Sequence, residues 1–169
     1  MDFLTNAKAR YSVRSFSPRP VEKEKVTIML EAAQAAPTAH NAQPYVLYVM
    51  QSPEALAQID ACSRNRFGAP LVFVICYDKT QAWASPEGTS SGPVDCGIIG
   101  THLMFAAHDL GLGSCWVMRF EASILKQALK LPENLVPVSL MPVGYPSETA
   151  VAGPRHSQRK PLLENVLFK

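Results

Sequence analysis

The chain has 169 residues, of which 47% are hydrophobic and 18% charged, and its formal net charge is +2. That length suits one domain, residues 1–169, with a sizeable core, and the composition excludes disordered and fibrous chains. Acids and bases are interspersed, without the basic stripe of a nucleic-acid binder. The longest apolar stretch is cut by Asp95, His102, His108 and Asp109, which argues against a membrane span.

Residues 3–9 predict a short helix leading into Arg10-Tyr11-Ser12-Val13-Arg14-Ser15-Phe16. In that stretch two guanidinium groups and a hydroxyl recur at every second residue. An extended backbone therefore points Arg10, Ser12 and Arg14 the same way. Pro18 and Pro20 break structure, and residues 21–36 predict a helix with Val26, Met29, Leu30 and Ala33 on its apolar face, stopped by Pro37. Residues 45–50 predict a strand. Ser52 followed by Pro53 is the favoured start of a helix, which runs to about Cys62. The apolar run 71–77 predicts a buried strand, and residues 79–91, with Pro86 and Gly88, a surface excursion. Residues 93–110 predict a long helix. Asp95, His102 and Asp109, seven residues apart, form one narrow polar seam on it, so it should be buried on nearly every side at the centre of a domain or an oligomer. A third strand over 114–118, a helix over 121–129 and a fourth strand over 137–143 follow. This order predicts an α+β fold, a central mixed or antiparallel sheet flanked by helices. Leu162, Leu163, Val166, Leu167 and Phe168 are strongly apolar for a terminus and must pack against something, such as another subunit.

The Arg/Ser comb suits an anion, because forked guanidinium donors match phosphate, although a solvated edge has the same spacing. Cys62, Cys76, Cys96 and Cys115 lack zinc-type spacing, and the opening residues lack an export segment, which together predict a reducing cytoplasm. Gly111-Leu112-Gly113 is no dinucleotide fingerprint, because a helix precedes it and a strand follows; Gly111 reads as a helix stop. No serine sits in an elbow sequence. His102 and His108 lie roughly 120° apart around a helix and share no metal unaided, so none is predicted. Asn41 and Gln43, between Pro37 and Pro44, offer amides able to read a heterocycle edge, or simply make a turn. Arg155, His156, Arg159 and Lys160 form a small basic cluster in the tail.

Taken in order, these segments resemble the nitroreductase family of flavoproteins. The resemblance rests on Arg10, Ser12, Arg14 and Phe16, on Asn41-x-Gln43-Pro44, on Ala69-Pro70 and on Gly111-Leu112-Gly113-Ser114-Cys115-Trp116. Arg159-Lys160-Pro161 completes the set, so coverage is full length. The resemblance implies a nitroreductase-like homodimer with FMN between subunits and NAD(P)H as electron donor, reducing nitroaromatic, quinone or related electrophiles. It places Arg10 and Ser12 at the flavin phosphate and ribityl chain, with Tyr11 between them also cofactor-binding, and Arg14 near the pyrimidine side. Asn41 and Gln43 fall on ribityl hydroxyls and ring edges, and Arg159 and Lys160 return to the phosphate. The main-chain amides of Val117, Met118 and Arg119 face the reactive ring nitrogen. Residues 62–68 depart from longer members, which carry an Asn and a Lys facing the ring. A flavin-binding or sensing protein without efficient turnover, or a flavin-dependent oxidase or dehalogenase, fits the same resemblance. The flavin carries the chemistry, so no catalytic side chain is expected.

Overall fold

The computed structural model describes residues 2–169. Its elements are α1 (Phe3–Ala9), α2 (Lys23–Gln34), β1 (Tyr45–Met50), α3 (Pro53–Cys62), β2 (Leu71–Asp78), α4 (Gly92–Asp109), β3 (Gly113–Ser114), α5 (Ala122–Ala128), β4 (Leu135–Gly144) and α6 (Leu162–Asn165), with a 3-10 turn at Ala39–Asn41. The α+β expectation holds. The four strands form one sheet in the order β1-β2-β4-β3, and every neighbouring pair is antiparallel.

Strand β2 explains why its sequence reads as an unbroken apolar run. Leu71, Phe73 and Ile75 meet α2 and α4 on one face, through Met29, Ala33, Ile99 and Leu103. Val72, Val74 and Cys76 meet α3 and α5 on the other, through Ile59 and Leu125. A strand with helices on both faces has no polar side to show. Ser52 caps α3 as expected, its Oγ accepting from Ala55 N at 3.2 Å. Helix α4 stops at Gly111, at φ 74°, where Leu112 N donates to Ala107 O at 2.8 Å and Gly111 N to His108 O at 3.0 Å. That pair of bonds is the glycine-terminated stop the sequence implied.

Two expectations need correcting. The third strand does not run continuously to Met118; only Gly113 and Ser114 form it. The chain still tracks β4, and Val117 exchanges two 2.9 Å hydrogen bonds with Leu140. Cys115 N donates to Pro142 O at 3.2 Å, but Pro142 has no N–H to return. One proline in the partner strand thus cuts the ladder. The seam on α4 is also not one face in one environment. Asp95 is buried beneath two loops, whereas Asp109 is exposed, as are Thr101 and, at 64%, Val94. The sheet and α2 cover only part of α4, and its open flank meets α1 along a groove lined by Phe3, Asn6, Phe105 and Asp109. The closing apolar residues remain uncovered on this chain, Leu167 and Phe168 being 81% and 83% exposed. Among the described residues no helix is long and apolar enough to cross a membrane.

Candidate functional site

The comb is built against the edge of the sheet. Arg10 caps α1, its N–H donating to Asn6 O at 2.9 Å. The chain then extends beside β3: Ser12 bridges Ser114 in parallel, and Val13 N donates to Ser114 O at 3.0 Å. Val13 is buried against Gly113, where a Cβ would stand 2.4 Å from Val13 Cγ2. Glycine is required there because the two backbones approach so closely. With Val13 turned inward, Arg10, Ser12 and Arg14 all reach the same hollow.

That hollow, about 370 Å³, is closed by the tail. Gly153, Pro154, Arg155, His156 and Arg159 complete its lining beside Arg10, Tyr11, Ser12 and Arg14. Tyr11 holds the returning chain: its ring meets His156 edge-on at 6.1 Å, and its hydroxyl makes a long 3.5 Å contact to Ala150 O. Arg159 Nη1 donates to Gln158 O at 2.8 Å and Arg155 O at 3.3 Å, which curls the tail. Arg19 and Arg66 pair with Glu22 and Asp60, but among the described residues Arg10, Arg14, Arg155 and Arg159 pair with no carboxylate. Four uncompensated guanidinium groups from both ends of the chain, with a hydroxyl between them, form a donor set chemically suited to a phosphate monoester. Among the described residues no carboxylate lines the hollow. Behind the comb, burial pushes the Cys115 thiol up, opposed by Arg14, Ser12 and Arg10.

The other predicted residues lie elsewhere on this chain. Lys160 follows Arg159 but stays outside the lining. Val117 is buried and its amide is engaged with Leu140, so of these three residues Met118 and Arg119 have amides free to face a ligand. Met118 and Arg119 border a second hollow with residues 60–65. There Ser63 Oγ and Asn65 Nδ2 both donate to Arg119 O, at 2.8 and 3.2 Å. Arg66 pairs with Asp60, at 2.6 and 2.7 Å, and is not in the lining, whereas Cys62, Ser63, Arg64 and Asn65 of the 62–68 segment are. Asn41, the last residue of the 3-10 turn, and Gln43, two residues beyond it, are exposed and line neither hollow. Arg155 and His156 enter the sequence reading only as members of the basic tail cluster, with no site role, and the fold brings them to the hollow.

A family model described as the nitroreductase family matches residues 7–67 and 60–145, most of the folded body. The chain belongs to the nitroreductase family. A crystal structure of a nitroreductase family protein from Clostridium difficile 630 is 37% identical, with a TM-score of 0.94, over 100% of this chain and 99% of that one. A Methanothermobacter thermautotrophicus relative, provisionally named NADH dehydrogenase/NAD(P)H nitroreductase, is 30% identical over 88% of this chain and 79% of its own length. The fold is also that of an Exiguobacterium sibiricum nitroreductase-like protein solved in complex with FMN. That protein is 20% identical, with a TM-score of 0.88, over 100% of this chain and 98% of its own. This nitroreductase-family chain therefore shares the fold of a protein that binds FMN, and it presents a phosphate-type donor set of its own.

Proposed function

We propose that the chain is an FMN-dependent NAD(P)H oxidoreductase, acting as a homodimer on small electrophiles such as nitroarenes or quinones in a reducing cytoplasm. The observation that carries this reading is the convergence of Arg10, Arg14, Arg155 and Arg159, unpaired, around one hollow. A dianionic phosphate satisfies these cations and gains bidentate hydrogen bonds. Arg10, Ser12 and Arg159, with Lys160 beside them, hold the phosphate and ribityl end, and Tyr11 keeps the tail in place. Arg14, the most exposed tooth of the comb, reaches toward the pyrimidine side. The amides of Met118 and Arg119 serve the ring, with Asn65 fixing the Arg119 carbonyl. The chemistry a bound FMN supplies is hydride acceptance from NAD(P)H and two-electron delivery to the acceptor.

Asn41 and Gln43 serve the ring of a second copy, since they line neither of the two hollows described on their own chain. The uncovered residues 162–168 embrace that copy. This arrangement gives both features a role that a single chain leaves open.

The test begins with colour. Protein incubated with FMN and desalted retains one flavin per chain, bleaches anaerobically with NADH or NADPH, and recolours on adding a nitroarene or quinone. A colourless protein overturns the flavin assignment. A yellow protein that neither nucleotide bleaches overturns the NAD(P)H oxidoreductase reading and favours a binding role.

A further inference from the structure

The loop carrying Asn41 and Gln43 is held against its own backbone preferences. His40, Asn41 and Gln43 all lie in the left-handed region, at φ 53°, 53° and 47°. Residues in that region persist where the surroundings over-determine them. Inside the loop, Gln43 N donates to Thr38 Oγ1 and Asn41 N to Thr38 O, each at 3.0 Å. From outside, one side chain among the described residues hydrogen-bonds to residues 38–43, and it is Asp95.

Asp95 stands in the first turn of α4 and is 1% exposed. Its Oδ1 accepts from Ala39 N at 3.0 Å, and its Oδ2 accepts from Ser91 Oγ at 2.7 Å. Ser91 in turn ends the surface excursion, donating its N–H to Trp83 O at 2.7 Å. The Trp83 indole then stacks on the His40 ring, centroids 5.3 Å apart and planes 19° apart. Asp95, Ala39, His40, Trp83 and Ser91 thus close a circuit. An acid at a helix N-terminus is favourable in itself, but that role needs neither loop. A buried carboxylate is costly unless its oxygens are bonded, and here one oxygen is bonded to each loop.

We propose that Asp95 is a positioning residue for the flavin-ring contacts, locking the Asn41–Gln43 turn to the Trp83 excursion so that both loops move as one. The inference rests on the assignment of Asn41 and Gln43 to the ring. Its consequence is that a displacement of the Trp83 excursion also shifts the amides assigned to the flavin.

The test uses the full-length protein, with and without FMN. The Trp83 emission, taken as the difference between each protein and its Trp83→Phe counterpart, reports the circuit independently of flavin. Asp95→Ala and Ser91→Ala change that emission because the indole leaves the imidazole. Asp95→Asn restores it, since an amide accepts from Ala39 N and donates to Ser91 Oγ. Asp95→Ala and Ser91→Ala also shift the visible flavin band and weaken FMN by about tenfold. The salt dependence of binding stays unchanged, because the phosphate arginines lie elsewhere. Ser91→Ala removes one hydroxyl and leaves Asp95 bonded to Ala39, so it carries the test where Asp95→Ala does not fold. An altered Trp83 signal with an unaltered flavin band and affinity reduces Asp95 to a structural acid and overturns the inference. So does an unaltered Trp83 signal in Ser91→Ala. A parent protein that takes up no FMN sinks the ring assignment beneath it, and this is seen before any substitution is made.

Discussion

Gly113→Ala tests whether the sheet edge aims the arginines. A methyl at Gly113 stands 2.4 Å from Val13 Cγ2, 2.8 Å from its Cβ and 3.1 Å from its Cγ1. Ordinary contact begins near 3.4 Å, so the comb strand must retreat by roughly 1 Å. Held in place, the overpacked contact costs about 1–3 kcal/mol of stability. Released, it carries Arg10 and Arg14 off a hydrogen-bond geometry only a few tenths of an ångström wide, and FMN binding weakens by at least about tenfold. Isothermal titration with FMN, paired with urea unfolding of the apoprotein, measures both outcomes. Val13→Ala added to Gly113→Ala removes both γ methyls, leaves only the 2.8 Å approach and restores part of the loss. A Gly113→Ala protein with parental stability and parental FMN affinity refutes the claim that this packing sets the comb.

Arg10→Ala and Arg159→Ala each weaken FMN by about ten- to a hundredfold, and titrations at rising ionic strength show a shallower salt dependence than in the parent. Lys25 Nζ donates to Leu110 O at 2.8 Å, at the end of α4, and to Tyr145 Oη at 2.9 Å. Lys25→Met therefore costs about 1–2 kcal/mol, read as a fall of a few degrees in Tm. Burial pushes the Cys76 and Cys96 thiols up to about 12. An unfolded thiol ionises near pH 8.5, so the unfolded state sheds protons first and stability falls as pH rises from about 8.5 toward 12. Unfolding midpoints at pH 8 and pH 10 measure this, and Cys96→Ala flattens the decline. Neither thiol reacts with a maleimide at pH 7 until the protein unfolds.

What the sequence made legible was governed by neighbours in the chain. Ser52-Pro53 marked the start of α3, Gly111 marked the end of α4, and the unbroken apolar run of β2 announced cover on both faces. The comb was readable because alternation is a local property of extended backbone, and Arg159 was assigned to the site through the family resemblance, whereas Arg155 joins it only in the folded chain. The unread features depend on distant partners. The cut in the third strand comes from Pro142, some distance along the chain in another strand, and nothing in residues 114–118 announces it. Val117 loses its amide to Leu140 for the same reason. Asp95 looked like one member of a heptad-spaced seam, yet two separate loops bury it while Asp109 stays in the open. Arg66 is absent from the second hollow because Asp60, six residues earlier, pairs with it, and nothing local in residues 62–68 announces that.

Arg159 lies three residues before Leu162, where the uncovered arm begins, and only Lys160 and Pro161 separate them. In the proposed flavin-binding dimer, whatever seats the arm on a second copy also limits the freedom of that guanidinium, which would make flavin uptake and self-association linked equilibria. Dilution that frees the arm should loosen the prosthetic group, and saturating flavin should hold protomers together at concentrations where the apoprotein falls apart.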